Sequence, residues 1–461
     1  MTAPRTRSPR RRTGRGGRVS DVLGPAPPDG DSAPVERRAP YAERTRVGAR
    51  GQQARQRILD AALQVFAEEG YPGCGIIRIT ELAGCSRAAF YQYFSSKEDV
   101  FRHLAGQVAR ELSASADALE PVSPDVEGWA SLCAWIERHA DIYARNQPVF
   151  EAFQAALESD EAVASGGLRI HRRHIALVRS KLTATSLPPR QLDAVIGLLL
   201  ECLTRTQYLV GVLRAAMPDG AFPANRIHTA LTDIVHRTLF GLDADVNVHP
   251  PAERPAPRIR TGPALVAGLQ HGDVGAELSP AAARTRTTLL DAAHDVLVTR
   301  GYHGTRVDDI AAAAGLSHGA FYRYFENKEQ VVRLLGVQAL QAVSAALARV
   351  PDVAADGPPS STALRQWLRR YNATHAAETA MIRVWVDAGT ADPTFRLESA
   401  AALDWGRRRL VRFLAPRRFG DVDTDALLLL VLLDAFGASG RSPEVVDAVA
   451  HVIERGLLGR A

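Results

Sequence analysis

Apolar residues along this chain fall at helical spacing in two well-separated places. Ile58, Leu59, Ala62, Val65 and Phe66 recur at steps of three and four, and so do Leu289, Leu290, Ala293, Val296 and Leu297. Each series predicts an amphipathic helix, ended by Gly70 in one case and Gly301 in the other. A shorter helix is expected next. In the second series it starts at Thr305, whose hydroxyl can cap free amides, with Asp308 three residues on to complete a capping box, and it ends at Ala314-Gly315. A third helix opens on Ser86 or Ser317 as N-cap. Two short helices joined by a tight glycine-containing turn predict a helix-turn-helix.

The two series are copies of one another. At an offset of 231, residues 58–100 show 20 identities in 43 positions without a gap, including Phe90-Tyr91-Gln92-Tyr93-Phe94 against Phe321-Tyr322-Arg323-Tyr324-Phe325. At an offset of 232, Trp135 aligns with Trp367, Arg138 with Arg370 and Phe153 with Trp385, so whole domains were duplicated. Between the copies, residues 242–280 carry 6 Pro and 4 Gly in 39 positions and read as a linker. The expected order is a tail at 1–50, a helix-turn-helix domain at 52–112 with a helical body at 113–241, the linker at 242–280, a second helix-turn-helix domain at 283–343 and a second body at 344–461. The fold class is all-α.

Composition adds limits. The chain of 461 residues is 46% hydrophobic and 23% charged, which excludes global disorder. The longest unbroken aliphatic run is Ala426 to Leu433, too short for a membrane span. Residues 1–50 hold 12 Arg and 5 acidic residues, a net of +7, whereas the remaining 44 basic and 46 acidic residues give −2. The tail is therefore expected to be disordered and suited to polyanions, either as a solvating leader or in nonspecific contact with DNA. The four cysteines, at 74, 85, 133 and 202, form no C-x-x-C pair and read as reduced thiols; His171 and His174 read as a solvated helix face. No Ser-His-Asp motif, phosphate-cradling glycine loop or metal cluster is evident, so neither an enzyme nor a cofactor is expected.

A helix-turn-helix lays its second helix in the major groove. In copy two this helix reads Ser317-His318-Gly319-Ala320-Phe321-Tyr322-Arg323-Tyr324, and the tyrosines are rigid arms whose hydroxyls can reach a phosphate or a thymine edge. Phe90, Phe94, Phe321 and Phe325 are assigned to the core. Only three lysines stand against 53 arginines, yet Lys97 and Lys328 occupy the same repeat position.

The run Gly301-Tyr302-x-Gly304-Thr305-x-Val307-x-Asp309-Ile310-Ala311, continued by Ala314-Gly315-Leu316-Ser317-x-Gly319-Ala320-Phe321-Tyr322-x-Tyr324-Phe325-x-Asn327-Lys328-Glu329, resembles the DNA-binding signature of the TetR/AcrR family of bacterial transcriptional regulators. The resemblance covers roughly 50 residues in each copy. It implies a cytoplasmic, helical, repressor-like regulator that binds double-stranded operator DNA and responds to an unknown small-molecule effector. Carried over by position, the DNA-binding residues are Arg78, Ser86, Arg87, Ala88, Tyr91, Gln92, Tyr93 and Lys97 in copy one. In copy two they are Thr305, Arg306, Ser317, His318, Gly319, Tyr322, Arg323, Tyr324 and Lys328. The two lysines are taken as phosphate contacts. Copy one departs from the pattern with Cys74 for Thr, Gly75 next to it, Ile77-Arg78 for Asp308-Asp309 and Ala88 for Gly319, so its binding is less secure. Trp135, Tyr143, Phe153, Trp367, Met381 and Trp385 are candidate effector-pocket residues, with core packing as the alternative. The strongly apolar closing helices of each copy are expected to pair, within one chain as a pseudo-dimer or between chains as a homodimer. The alternative to a regulator is a ligand-sensing or interaction protein whose first head has degenerated.

Overall fold

A computed structural model shows how these patterns close into a structure. It describes residues 48–247 and 278–460, apart from positions 160, 186, 215, 218–220, 352–359, 389–392, 418 and 439–441. The Arg-rich tail and most of the expected linker lie outside the described residues. Those residues are helical, with one isolated bridge between Val122 and Leu182. The architecture is all-α and tandem.

Copy one contains α1 (Ala49–Gly73), α2 (Ile76–Leu82), α3 (Arg87–Tyr93), α4 (Lys97–Asp117), α5 (Val126–Ser159), α6 (Glu161–Lys181), α7 (Pro189–Arg214) and α8 (Ala224–Phe240). A one-turn helix, α9 (Ala244–Asn247), falls inside the stretch read as linker, because this tetrapeptide precedes the prolines that disfavour helix. Copy two contains α10 (Pro280–Gly304), α11 (Val307–Ala313), α12 (His318–Phe321), α13 (Lys328–Ala348), α14 (Ser361–Ala388), α15 (Pro393–Leu414), α16 (Val422–Ala438) and α17 (Pro443–His451), which runs into a π-helical turn over Val452–Leu457.

The first helix of each head breaks where the sequence says it should. Gly70 and Gly301 both have φ of 70° inside α1 and α10, a left-handed conformation that only glycine adopts without strain. Each head has its own core, with Phe90, Phe94 and Phe101 in one and Phe321, Phe325 and Trp385 in the other. The bodies differ in this respect. One continuous apolar cluster takes Leu199, Leu203, Leu231 and Ile234 from copy one together with Leu428, Leu432, Val449 and Ile453 from copy two. A smaller one packs Phe222 and Ile227 on Ala400, Ala401 and Leu427. At the crossing of α8 with the π-helical turn, a Cβ on Gly456 would lie 2.8 Å from the Ile234 carbonyl oxygen, so only glycine permits this approach.

Counting unbroken aliphatic runs missed one property. Among the described residues, α7 and α13 are long and apolar enough to cross a membrane. Both bury residues in the protein instead: Val195, Leu199 and Leu203 of α7 enter the shared core, and Leu335 and Ala339 of α13 the core of head two. His174, expected on a solvated face, lies 3.3 Å from Ser113 Oγ and is partly buried, because α6 turns that side toward α4.

Buried histidines make the fold sensitive to acid. Burial drives His139 from its usual value near 6.5 down to about 4, and burial also lowers His228, His236 and His451. The folded chain therefore holds His139 neutral where the unfolded chain would protonate it, so stability present above pH 6.5 is lost as pH falls toward 4. The loss attributable to His139 is on the order of 2 kcal/mol by pH 4.5. Thermal unfolding of His139→Gln should show a shallower fall between pH 7 and pH 4.5 than the parent chain; equal slopes would contradict the assignment.

Candidate nucleic-acid interface

The two reading helices are set by the same local chemistry. Ser86 Oγ accepts from the Ala89 amide at 3.1 Å and Ser317 Oγ from the Ala320 amide at 3.2 Å, so both serines are N-caps as expected. Phe90 and Phe321, one turn on, are wholly buried and pin each helix to its head. Gly84 and Gly315, with φ of 62° and 67°, make the turns before them. What remains outward is the i, i+1, i+4, i+5 face: Arg87, Ala88, Tyr91 and Gln92 in copy one, His318, Gly319, Tyr322 and Arg323 in copy two. Tyr91 is 44% exposed and Tyr322 50%, although each ring meets the neighbouring Phe90 or Phe321 edge-on at 5.4 Å.

Several carried-over residues are placed elsewhere. Tyr93 is 9% exposed, and its equivalent Tyr324 is half-buried, because they point along the Phe side of the helix. Thr305 is only 2% exposed; its hydroxyl donates to the Gly301 carbonyl at 2.8 Å and closes the end of α10 rather than capping α11. The residue preceding α11 is Arg306, whose amide donates to Asp309 Oδ2 at 2.9 Å, one position later than the expected box. That bond, with Arg300 beside it, holds the Asp309 carboxyl below its usual range. Cys74, the counterpart of Thr305, is also buried, and desolvation pushes its thiol up to about 11, so it packs as a small apolar residue.

The recurrent lysines have a structural task. Lys97 Nζ donates to the Tyr71 carbonyl at 2.9 Å and sits 4.6 Å from the Tyr71 ring centre. Lys328 Nζ donates to the carbonyls of Tyr302 at 2.7 Å and Thr305 at 3.0 Å, 4.0 Å from the Tyr302 ring. Each ammonium ties the start of the fourth helix to the end of the first, across the two short helices between them. A compact ammonium with three divergent donors fits carbonyls clustered around one point, whereas a planar guanidinium does not. That explains why a chain rich in arginine keeps lysine here twice. Lys97 uses one of its three donors in this way and Lys328 two.

Further correspondences escape the sequence comparison. Arg55 lies 5.2 Å above Phe94 and its repeat mate Arg286 lies 5.2 Å above Phe325, a cation–π cover on each head. Glu69 and Arg78, bridged at 3.2 Å, occupy the positions of Arg300 and Asp309, bridged at 2.6 Å. The same link between first and second helix is kept with its charges exchanged, a change that position-by-position identity scores as two mismatches. Arg78 also reaches Glu68 at 3.4 Å. The heads differ at one more point: His318 Nδ1 is hydrogen-bonded to Asp308, while the equivalent pair in copy one is Arg87 and Ile77, the latter 57% exposed.

The six candidate pocket residues do not converge. Trp135 and Trp367 lie in the shared body core, Met381 and Trp385 beneath head two, and Phe153 against the core of head one. Tyr143 stacks on Phe150 at 4.8 Å. Trp367 Nε1 donates to the Ala346 carbonyl at 3.0 Å. A cavity of about 10 Å³ lies between the copies, against Leu199, Cys202, Leu231, Leu428 and Leu432, with room for no more than one water. Among the described residues no group of three or more His, Cys, Asp or Glu side chains could hold a metal.

Two capped reading helices on glycine turns, each tied to a helical body, define a tandem helix-turn-helix protein. Residues 58–104 and 289–335 both match the family described as bacterial regulatory proteins, tetR family. The chain thus carries the domain of the tetR family of bacterial regulatory proteins twice in tandem. It is 34% identical over 120 residues to the HTH-type transcriptional repressor AcnR of Corynebacterium glutamicum, a match covering 24% of this chain and 62% of AcnR. It is 43% identical over 44 residues to the fatty acid metabolism regulator protein of Bacillus subtilis, covering 10% of this chain and 23% of that protein. Among solved structures, the flavonoid-responsive regulator FrrA is 29% identical, with a TM-score of 0.29 over 38% of this chain and 94% of FrrA. The chain thus spans less than two thirds of the length of AcnR.

If Lys328 holds the helix junction, Lys328→Ala should accelerate amide exchange in residues 302–311 of the DNA-free protein while leaving α16 unchanged. Unaltered exchange at the junction, with DNA binding weakened, would make Lys328 a phosphate contact alone.

Proposed function

We propose that this chain is a DNA-binding transcriptional regulator, acting as a ligand-responsive repressor, that sets two unlike helix-turn-helix heads on one operator. The observation that carries the reading is the pair of exposed tyrosines, Tyr91 and Tyr322, on reading helices whose caps and buried phenylalanines are the same in both copies. A conserved frame with an altered outward face is what two readers of different base sequences require. Copy one keeps the serine cap, the lysine tie and the cation–π cover, which supports binding by both heads over the alternative of a degenerate first head. The proposed division places the heads at 52–112 and 283–343 and the effector and pairing bodies at 113–241 and 344–461. The setting is the bacterial cytoplasm, at the nucleoid.

Within this reading Arg87 donates to guanine O6 and N7, and His318, held at Nδ1 by Asp308, presents Nε2 to a base edge. Tyr91 and Tyr322 contact phosphate or a thymine methyl, and Gly319 lets the backbone approach. Repression follows from occupancy of the operator, which needs no further partner. The effector acts by parting helices of the bodies, whose aromatic residues are close-packed in this state. Packing of α7 and α8 on α16 and α17 supports pairing of the two copies within one chain.

Selection from random duplex DNA should return a site with two dissimilar halves. Tyr91→Ala and Tyr322→Ala should each weaken binding by about 1–3 kcal/mol and relax preference in a different half. A perfect palindrome would contradict two unlike readers, and retention without any enriched sequence would favour nonspecific coating by the arginine tail.

A further inference from the structure

The contacts between the copies are not interchangeable. Arg226 of α8 pairs with Asp421, the residue ahead of α16, and Arg205 of α7 stands 3.3 Å from Asp434 of α16. Arg237 of α8, wholly buried, donates from Nε to the Gly456 carbonyl at 2.8 Å. In all three the cation belongs to copy one, and both carboxylates belong to copy two.

The repeat register shows what self-pairing would bring together. Helices α7 and α16 begin at Pro189 and Val422, which equates Pro188 with Asp421, Glu201 with Asp434 and Arg205 with Ala438. The closing helices end on Gly241 and Gly459, both at positive φ, which equates Arg226 with Glu444. No basic residue lies within two positions of Glu444. Copy two against copy two would set Asp421 toward Glu444 and take Arg205 away from Asp434. Copy one against copy one would set Arg226 toward Pro188, with no carboxylate to meet it, whereas Arg205, already 3.6 Å from Glu201 inside its own copy, would meet the Glu201 of the other, so discrimination against that pairing falls to Arg226.

We propose that this interface is heterotypic: the closing face of copy one is built to receive that of copy two from the same chain, and neither face is built to receive its own kind. The aliphatic core does not discriminate, since both faces supply leucine, isoleucine and valine. Discrimination falls to the charges, which sit where solvent screens them poorly: without Asp421 the half-buried Arg226 loses its carboxylate, and without Arg205 the Asp434 carboxylate keeps His375, 3.5 Å away in its own copy. The same-chain partner is favoured because the 30 residues between Asn247 and Leu278 hold the faces at high effective concentration. The left and right order of the unlike heads is thereby fixed, and each chain forms a complete two-headed unit. This rests on pairing within the chain, proposed above, and not on DNA binding.

The test uses the full chain without DNA, comparing the parent with Arg226→Asp, Asp421→Arg and the double reversal by thermal unfolding and light scattering. The parent should have the single-chain mass of 49.8 kDa. Each single reversal should lower the melting temperature by several degrees, and the double should regain more than half of the combined loss. Additive losses in the double variant would overturn the heterotypic pairing. A two-chain mass for the parent would overturn the same-chain reading, which keeps the two failures apart. Should a reversal prevent folding, Arg226→Gln and Asp421→Asn with their double give the same comparison: non-additive losses support the pairing, and additive losses overturn it.

Discussion

The four closing helices carry apolar faces that neither copy can cover alone, and that constraint organises the molecule. Leu199, Leu203, Leu231 and Ile234 need an apolar partner as much as Leu428, Leu432, Val449 and Ile453 do, and each set supplies the other. Burying such side chains contributes about 1.5–3 kcal/mol apiece, an upper range because unfolded chains are themselves partly compact. With the bodies closed on one another, the heads are left as separate small cores, linked to the bodies by long helices such as α4 and α13. The joint core thus makes two domains into one platform, and the reading helices ride on it.

Within each head the design is a rigid frame around a free face. The lysine ammonium gathers carbonyls at the end of the first helix, glycine at positive φ makes the turns, a serine caps the reading helix, and a phenylalanine anchors it. These fix direction without using the outward residues, so the outward residues are available to differ. Arg87 against His318 and Gln92 against Arg323 are changes that leave every one of the fixing contacts in place.

Much of this was legible in the sequence because it depends on local spacing. The glycine breaks, the serine caps and the buried phenylalanines follow from helical periodicity and capping chemistry, and the duplication follows from 20 identities in 43 positions. What could not be read depends on contacts across the fold. Periodicity puts Tyr91 and Tyr93 on one short helix but does not say which faces the core. Charge at a repeated position made the lysines legible as candidate phosphate contacts, and only the folded junction adds the carbonyls they serve. Glu69 with Arg78 and Arg300 with Asp309 look unrelated until the pairs are seen to form the same bridge in opposite polarity. The aromatic residues expected to line a pocket were spaced as a helix face would be, which core packing produces equally well.

The central claim is that one chain presents two different readers to one stretch of DNA. The most direct measurement is the mass of the complex with its selected duplex, taken by native mass spectrometry together with a footprint on both strands. One chain per duplex, protecting two half-sites one or more helical turns apart, is the expected result. Two chains per duplex, or protection confined to a single half-site, would contradict it.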